Sequence, residues 1–364
     1  MRILAIDVGT GTQDILLFDS DTNIENCPKA VMPSPTAIVA QAIRSATSRG
    51  DEVLLTGVTM GGGPCNAAAR DHIGAGHRVF ATCDAARTFN DDLEVIEQMG
   101  VHLVSDDEAA RLTVPVHLEL KDFDWRAIET AFSAFGVDMR LDAIAVGVFD
   151  HGNAPPDVSD RWFRFEYLKK TLLAANGLCS FAHWRDEVPE IMTRMLAVAN
   201  TVDRSVPLLV MDNASAAVLG ALGDPTVAQH KVHVAVNVGN AHSLAFYLDG
   251  SRVKALFEHH TRALDAGKLE GMLGALVGGT ITNEWVFNDG GHGALVLEGD
   301  VAPPGIYSVT GPRRGMMEGS PLRPYFPSPH GDMMLAGCFG MLRAAAAKRP
   351  EWHDAIIRRL DNNI

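Results

Sequence analysis

The sequence predicts an α/β fold built as two lobes, and three observations carry that expectation. A chain of 364 residues is long for one core and comfortable for two domains. Runs with strand character alternate with runs of helical periodicity along most of its length. The third observation is a hairpin pattern that occurs twice. "AIDVGTGTQDILLFD" at Ala5–Asp19 and "AVNVGNAHSLAFYLD" at Ala235–Asp249 match in kind at a constant offset of 230 residues. Asp7 meets Asn237, Gly9 meets Gly239 and Asp19 meets Asp249. Each is an apolar run, a turn of small residues and a second apolar run ending in Asp.

The elements follow in order. After the first hairpin comes a short strand near Asn23–Val31. A helix then starts behind Pro33-Ser34-Pro35, with Ile38, Val39, Ala42 and Ile43 at helical spacing. Glu52–Thr56 is the next strand. From Gly57 to about Arg140 strands ("HRVFAT", "VHLV", "VPVHLEL") alternate with helices near Leu93–Met99 and Trp125–Phe135. "LDAIAVGVFDHG" and "VPLLVM" read as strands buried on both faces, because their apolar runs are nearly continuous. Helices lie between these two strands, up to about Thr201. "DNASAAVLGAL" is a small-residue helix capped by Asp212 or Asn213. The second hairpin begins near His233, and "SRVKALFEHH" pairs with it across the Asp249-Gly250 turn. A helix through Leu269, Met272, Leu273 and Leu276 follows. "IYSVTGP" is a strand running into a turn, and the last helix spans Gly331–Ala347.

Composition excludes several classes. A net charge of −14 argues against nucleic acid or an anionic membrane as the main partner. A small-molecule ligand held by local backbone amides is compatible with it, and self-association is left open. The five cysteines are scattered and show no CxxC or CxxxCxxC spacing, so reduced thiols are expected. Arg2 is followed by only Ile3–Ile6 before Asp7, too short for a signal-peptide core, and no apolar run reaches membrane length. The expectation is a soluble, cytoplasmic protein.

A turn of Gly, Thr and small polar residues between two strands aims its amides and hydroxyls at one spot, a cradle for an anion. Two such turns facing each other would grip a polyphosphate from both sides. At these residues the chain resembles the actin, sugar kinase and Hsp70 superfamily of nucleotide-binding proteins. "ILAIDVGTGTQDILLFD" resembles its first phosphate loop and "HVAVNVGNAHSLAFYLD" its second. "DNASAAVLGAL" resembles the helix connecting the lobes, "SVTGPRR" falls where the adenosine turn would, and "HGDMMLAGCFGMLRA" resembles the closing helix. More narrowly, the chain resembles a prokaryotic family of that superfamily whose members are labelled pyruvate formate-lyase activating enzymes. That label implies radical chemistry on a cluster held by CxxxCxxC, a spacing this sequence does not contain, so that chemistry is rejected.

The resemblance implies two RNase H-like lobes in the actin-like ATPase fold, with an α/β insertion in the first. The lobes would span 1–225 (insertion about 57–140) and 226–330, with the 331–364 helix returning to the first. ATP and Mg²⁺ would lie in the cleft. Asp7 would hold Mg²⁺ through water; Gly9, Thr10, Gly11 and Thr12 would contact phosphate on one side, Gly239 and Asn240 on the other. Gly311 and Pro312 would abut the adenosine, and Asp150, ending a buried strand, would polarise a hydroxyl or water. Asn237 stands where the superfamily usually has Asp, which removes one anionic contact and puts turnover in question. The expected activity is phosphoryl transfer or ATP hydrolysis; a non-enzymatic nucleotide switch is an alternative.

His151, His242, His259, His260, His292 and His330 sit in turn-like contexts, several of them beside Gly or Asp. Local hydrogen bonding or phosphate contact is the expected use, and a metal site with Asp150 or Asp332 is the alternative. His242 aligns with Thr12 at the phosphate turn, where an imidazolium could supply charge. A rival reading rests on "LLTGVTMGGGPCNAAARDHIGAGHRVFATCD": strand, Gly61-Gly62-Gly63, helix, strand, then Asp84, the order of a dinucleotide site. It would make the protein an NAD(P)-dependent oxidoreductase. Its spacing is not GxGxxG, and Tyr167 and Lys170 are one residue short of YxxxK.

Overall fold

The two hairpins fold in the same register. Arg2 pairs with Asp19 and Val8 with Gln13; at the same offset Val232 pairs with Asp249 and Val238 with Ser243. The match extends to the parallel neighbour of each first strand. Ile3 lies against Ala143 and Asp7 against Gly147, while His233 lies against Ile306 and Asn237 against Thr310. The computed structural model describes residues 1–299 and 302–361.

The first sheet runs Lys29–Pro33, Thr12–Asp19, Arg2–Val8, Ala143–Val148, Leu208–Asp212, Ala182–Trp184. Its first five strands, numbered by sequence, stand in the order 3-2-1-4-5. The second sheet runs Gly293–Val296, Arg252–His260, His242–Asp249, Val232–Val238, Ile306–Thr310, a 3-2-1-4 core with one added edge strand. The protein is therefore α/β with two RNase H-like lobes. Their hydrophobic core is continuous, joining Leu4, Ile6 and Val146 to Phe246, Leu248 and Leu256.

A third sheet is separate and wholly parallel, ordered Val101–Val104, Val79–Thr82, Val53–Gly57, Val116–Leu120. Its boundaries differ from the expected 57–140. The helix Pro35–Arg49, capped by Ser34, turns Val39, Ala40, Ile43 and Ala46 into this sheet's own core beside Cys65 and Ala68. At the other end Phe123, Ile128 and Phe132 pack into the core of the two lobes. Burial, not the alternation of elements, decides where the unit stops.

The helices Asn213–Ala221 and Ala336–Lys348 cross with almost no side chain between them. A Cβ on Gly220 would come 1.8 Å from Ala336 O, and one on Gly340 would come 1.9 Å from Ala216 O. The second helix also lines the first sheet, where Phe339, Met341 and Leu342 join Ile3, Ala5 and Phe18. Two local expectations change. Residues Ile24–Asn26 form a 3-10 turn and the strand starts at Lys29. The closing helix starts at Ala336, and a further helix, Pro350–Asp361, buries Ile356 and Leu360 behind Pro350. Among the described residues no helix is long and apolar enough to cross a membrane.

Gly340→Ala is expected to destabilise the protein by roughly 1–3 kcal/mol, because the new methyl meets backbone that cannot step aside. Gly271→Ala, on an exposed helix face with nothing within 4 Å, is expected to be neutral or slightly stabilising. Urea midpoints of the two variants check both.

Candidate functional site

The duplicated turns face each other across a cleft holding a cavity of about 320 Å³. Gly9 N–H donates to Thr12 O at 2.9 Å, and Gly239 N–H donates to His242 O at 2.9 Å. Both glycines are required by that closeness, since a Cβ would come 3.1 Å from Thr12 O or 2.7 Å from His242 O. The turns also touch: a Cβ on Gly11 would come 2.9 Å from Asn240 Nδ2. The amides of Thr10, Gly11, Asn240 and Ala241 donate to no protein group among the described residues. Gly311 and Pro312 line the same cleft. Gly311, at φ +96, carries no Cβ because one would sit 2.5 Å from Asn237 Oδ1.

Asp7 ends its strand at the floor of this cleft. Its Oδ1 is buried without a hydrogen-bond partner, and its Oδ2 lies where a Cβ on Gly337 would come within 2.0 Å. Burial, then the nearby Asp14 and Asp212 charges, push its carboxyl well above the usual range. Asp14 Oδ1 is likewise buried and unpartnered. Burial pushes that carboxyl up to about 7, with a Thr12 hydrogen bond opposing.

Asp150 also lines the cleft. Oδ1 accepts from Gly152 N–H at 2.8 Å and Oδ2 from Met195 N–H at 2.9 Å, in the first turn of helix Thr193–Thr201. These bonds tie a loop to a helix and leave each oxygen one further lone pair. The Gly61–Gly63 loop reaches the cleft from the third sheet. Around it Met60 N–H is bound to Thr88 Oγ1, Gly61 N–H to Asp122 Oδ1 and Cys65 N–H to Thr36 Oγ1. Pro64 lacks an amide, and the Gly62 and Gly63 amides donate to no protein group among the described residues.

Four of the six singled-out histidines cluster. The His242 ring stacks on Phe149, 3.9 Å between centroids and 5° from parallel, and His151, His260 and His292 lie around it. Burial first, then His151, His260 and Arg164, push His242 well below its ordinary value. In the empty cleft this disfavours the imidazolium expected at the phosphate turn. His259 is bound within the second lobe to Asp289 at 3.0 Å, and His330 packs on Phe339. Asp332 faces Lys29.

Arg164 escaped the sequence reading. From helix Asp160–Ala174 it grips Glu258 with Nε and Nη2, Asp212 with Nη2 and Asp150 O with Nη1, each at 2.8 Å. Its guanidinium stands 3.7 Å over the Phe149 ring. The available signal was register: Leu168 and Leu172 are buried, and four residues back on that face is an arginine.

Two RNase H-like lobes closing on paired small-residue turns define a protein of actin-like architecture. The chain belongs to the family described as "Putative pyruvate format-lyase activating enzyme (DUF1786)", whose model matches residues 60–316. Cys27 and Cys338 share one core against the first sheet and Cys65 lies in that of the third, and no three cysteines share a site among the described residues. No curated protein matches the chain. Similar solved structures include the activator of the 2-hydroxyisocaproyl-CoA dehydratase from Clostridium difficile with bound ADPNP, at 9% identity over 97% of each chain with TM-score 0.39. The ROK hexokinase from Thermus thermophilus shares 13% identity over 95% of this chain and 100% of its own, TM-score 0.32. A ROK family glucokinase from Streptomyces griseus in complex with glucose and AMPPNP shares 10% over 94% and 98%, TM-score 0.30.

Arg164→Met leaves Asp212 and Glu258 buried without their cation. A loss of about 3–5 kcal/mol is expected, read by chemical denaturation at neutral pH. Asp14 gives a pH signature. Its folded value of about 7 lies above the unfolded 3.8, so the folded state binds more protons between them. Its contribution is full below pH 4 and is lost as pH rises through 7. In chelator at pH 8, Asp14→Asn is therefore expected to be more stable than the parent, by up to about 4 kcal/mol. The difference should vanish near pH 4 in thermal melts across that range.

Proposed function

We propose that the cleft binds ATP with Mg²⁺, and that the protein is an ATP-dependent phosphotransferase or ATPase acting on a small molecule. One observation carries this reading: two turns in identical register meet across the cleft with unused amides. Converging amides hold an anion, and a polyphosphate is the anion long enough to occupy both. Thr10, Gly11 and Thr12 would take phosphate oxygens from one lobe, Asn240 and Ala241 from the other, since the Gly239 N–H is already given to His242 O. Gly311 and Pro312 would lie against the adenosine.

The donor set fits Mg²⁺. Asp7 Oδ1 and Asp14 Oδ1 are buried and unpartnered, and a hard cation that keeps part of its water shell satisfies such oxygens. When bound, the ion would neutralise charge on the phosphates. The chain's own part would be positioning and hydrogen bonding, which is most of what phosphoryl transfer asks of a protein. Asn237 offers an amide where a carboxylate would attract metal or orient water, consistent with slow turnover. The third sheet would supply the substrate side. The Gly61–Gly63 loop follows its strand Val53–Gly57, and ligands of parallel sheets bind outside the carboxyl ends of the strands. A net charge of −14 suits a small-molecule substrate better than nucleic acid or an anionic membrane.

Thermal stabilisation by ATP·Mg, beside NAD(H) and NADP(H), tests this. At a hundred times its dissociation constant ATP·Mg should add about 2.7 kcal/mol, and Asp7→Ala should lose the Mg²⁺-dependent part. Stabilisation by a nicotinamide cofactor alone would overturn the proposal in favour of the Gly61–Gly63 loop.

A further inference from the structure

Three histidines from three separate loops converge beside the second turn. His151 follows strand Ala143–Val148, His242 opens strand His242–Asp249, and His292 precedes strand Gly293–Val296. Each offers a ring nitrogen within 4.8 Å of the others. His151 Nε2 stands 3.3 Å from His292 Nε2. Two imidazole nitrogens on one tetrahedral ion, each about 2.0–2.1 Å from it, lie about 3.3–3.4 Å apart. The spacing is that of co-ligands.

The surroundings prepare these rings to ligate. His292 Nδ1 lies 3.4 Å from Glu258 Oε1, and Arg164 fixes Glu258 through two hydrogen bonds of 2.8 Å. The ring and the carboxylate do not form a hydrogen bond, and His292 Nδ1 is otherwise unpartnered among the described residues, but a carboxylate this close favours a proton on that nitrogen. The opposite nitrogen, Nε2, faces His151. Burial and neighbouring positive charge hold His151 at about 3 and His242 and His292 well below their ordinary value. All three are the neutral imidazoles that bind metals. Around them Arg164 is paired with two carboxylates, Asp212 and Glu258, and Arg194 with Asp122, so each nearby cation already has its own counter-ion.

We propose that His151, His242 and His292 bind a first-row transition-metal dication, with one coordination position left open toward the cleft. Imidazole donors favour Zn²⁺, Fe²⁺ and their neighbours over Mg²⁺. Three protein ligands with an open fourth position is the arrangement of reactive metal sites, not of closed structural ones. The site is distinct from the oxygen pair of Asp7 and Asp14. His151 comes from the first lobe and the other two from the second, so the ion also ties the lobes together. His242 occupies in the second turn the place Thr12 holds in the first. If the cleft binds ATP as proposed above, the open position faces the phosphates or the substrate oxygen and would polarise it. The site itself does not depend on that reading.

The test uses the full chain, stripped with chelator and titrated with Co²⁺ without nucleotide. One equivalent should bind with the strong visible absorption of low-coordinate Co²⁺, be displaced by Zn²⁺ and resist excess Mg²⁺. His151→Ala and His242→Ala, each checked by circular dichroism, should weaken Co²⁺ binding on the order of a hundredfold or more. His353→Ala, at an exposed helix position, should not. Absence of stoichiometric binding by the parent protein would overturn the proposal. So would an octahedral spectrum that both cleft variants leave unchanged, and His151 and His292 would then share a simple N–H···N bond. Metal binding without ATP stabilisation would overturn the nucleotide reading alone.

Discussion

The Arg164 guanidinium is the interaction on which the cleft depends. It is fully buried, and a buried charge survives only when its partners are near and well aimed. Those partners come from three strand ends: the Asp150 carbonyl after Ala143–Val148, Asp212 closing Leu208–Asp212, and Glu258 in the second lobe. One side chain therefore fixes where two strands of the first sheet end and how the second sheet meets them. The same guanidinium lies over Phe149, whose ring stacks on His242. The histidine cluster and the second turn inherit their positions from it.

Around this anchor, glycine sets how closely the parts approach. Gly220 and Gly340 let two helices cross at backbone contact, and Gly337 lets one of them press on Asp7. That helix holds Asp7 and Asp14 in a place where their charges are poorly solvated. Such carboxylates cost stability in the empty protein. A bound cation would offset that cost, the pattern expected of a binding site.

The third sheet shows how one motif can carry two readings. Its strand, glycine loop, helix and strand are arranged in space as a dinucleotide unit would be. Amides of Met60, Gly61 and Cys65 tie the loop to Thr88, Asp122 and Thr36, while those of Gly62 and Gly63 have no protein partner among the described residues. The loop is turned toward the cleft of the other two sheets, so a ligand on it would share that space with the paired turns.

The sequence by itself determined the elements and their duplication. Apolar runs of strand length, the Ser34 and Asp212 caps and the repeated small-residue turn are local properties, written in neighbouring residues. Only the tertiary structure decided what the polar residues do. Asp150 read as a base and also accepts from two amides; His242 read as a cation and lies buried against Phe149 and other histidines, where burial disfavours its charge. Arg164, Asp212 and Glu258 lie 48 and 94 residues apart from the arginine along the chain, and His151 and His292 are 141 apart. The charge state of a side chain and the company it keeps depend on burial and on partners brought from distant elements, and a linear pattern carries neither.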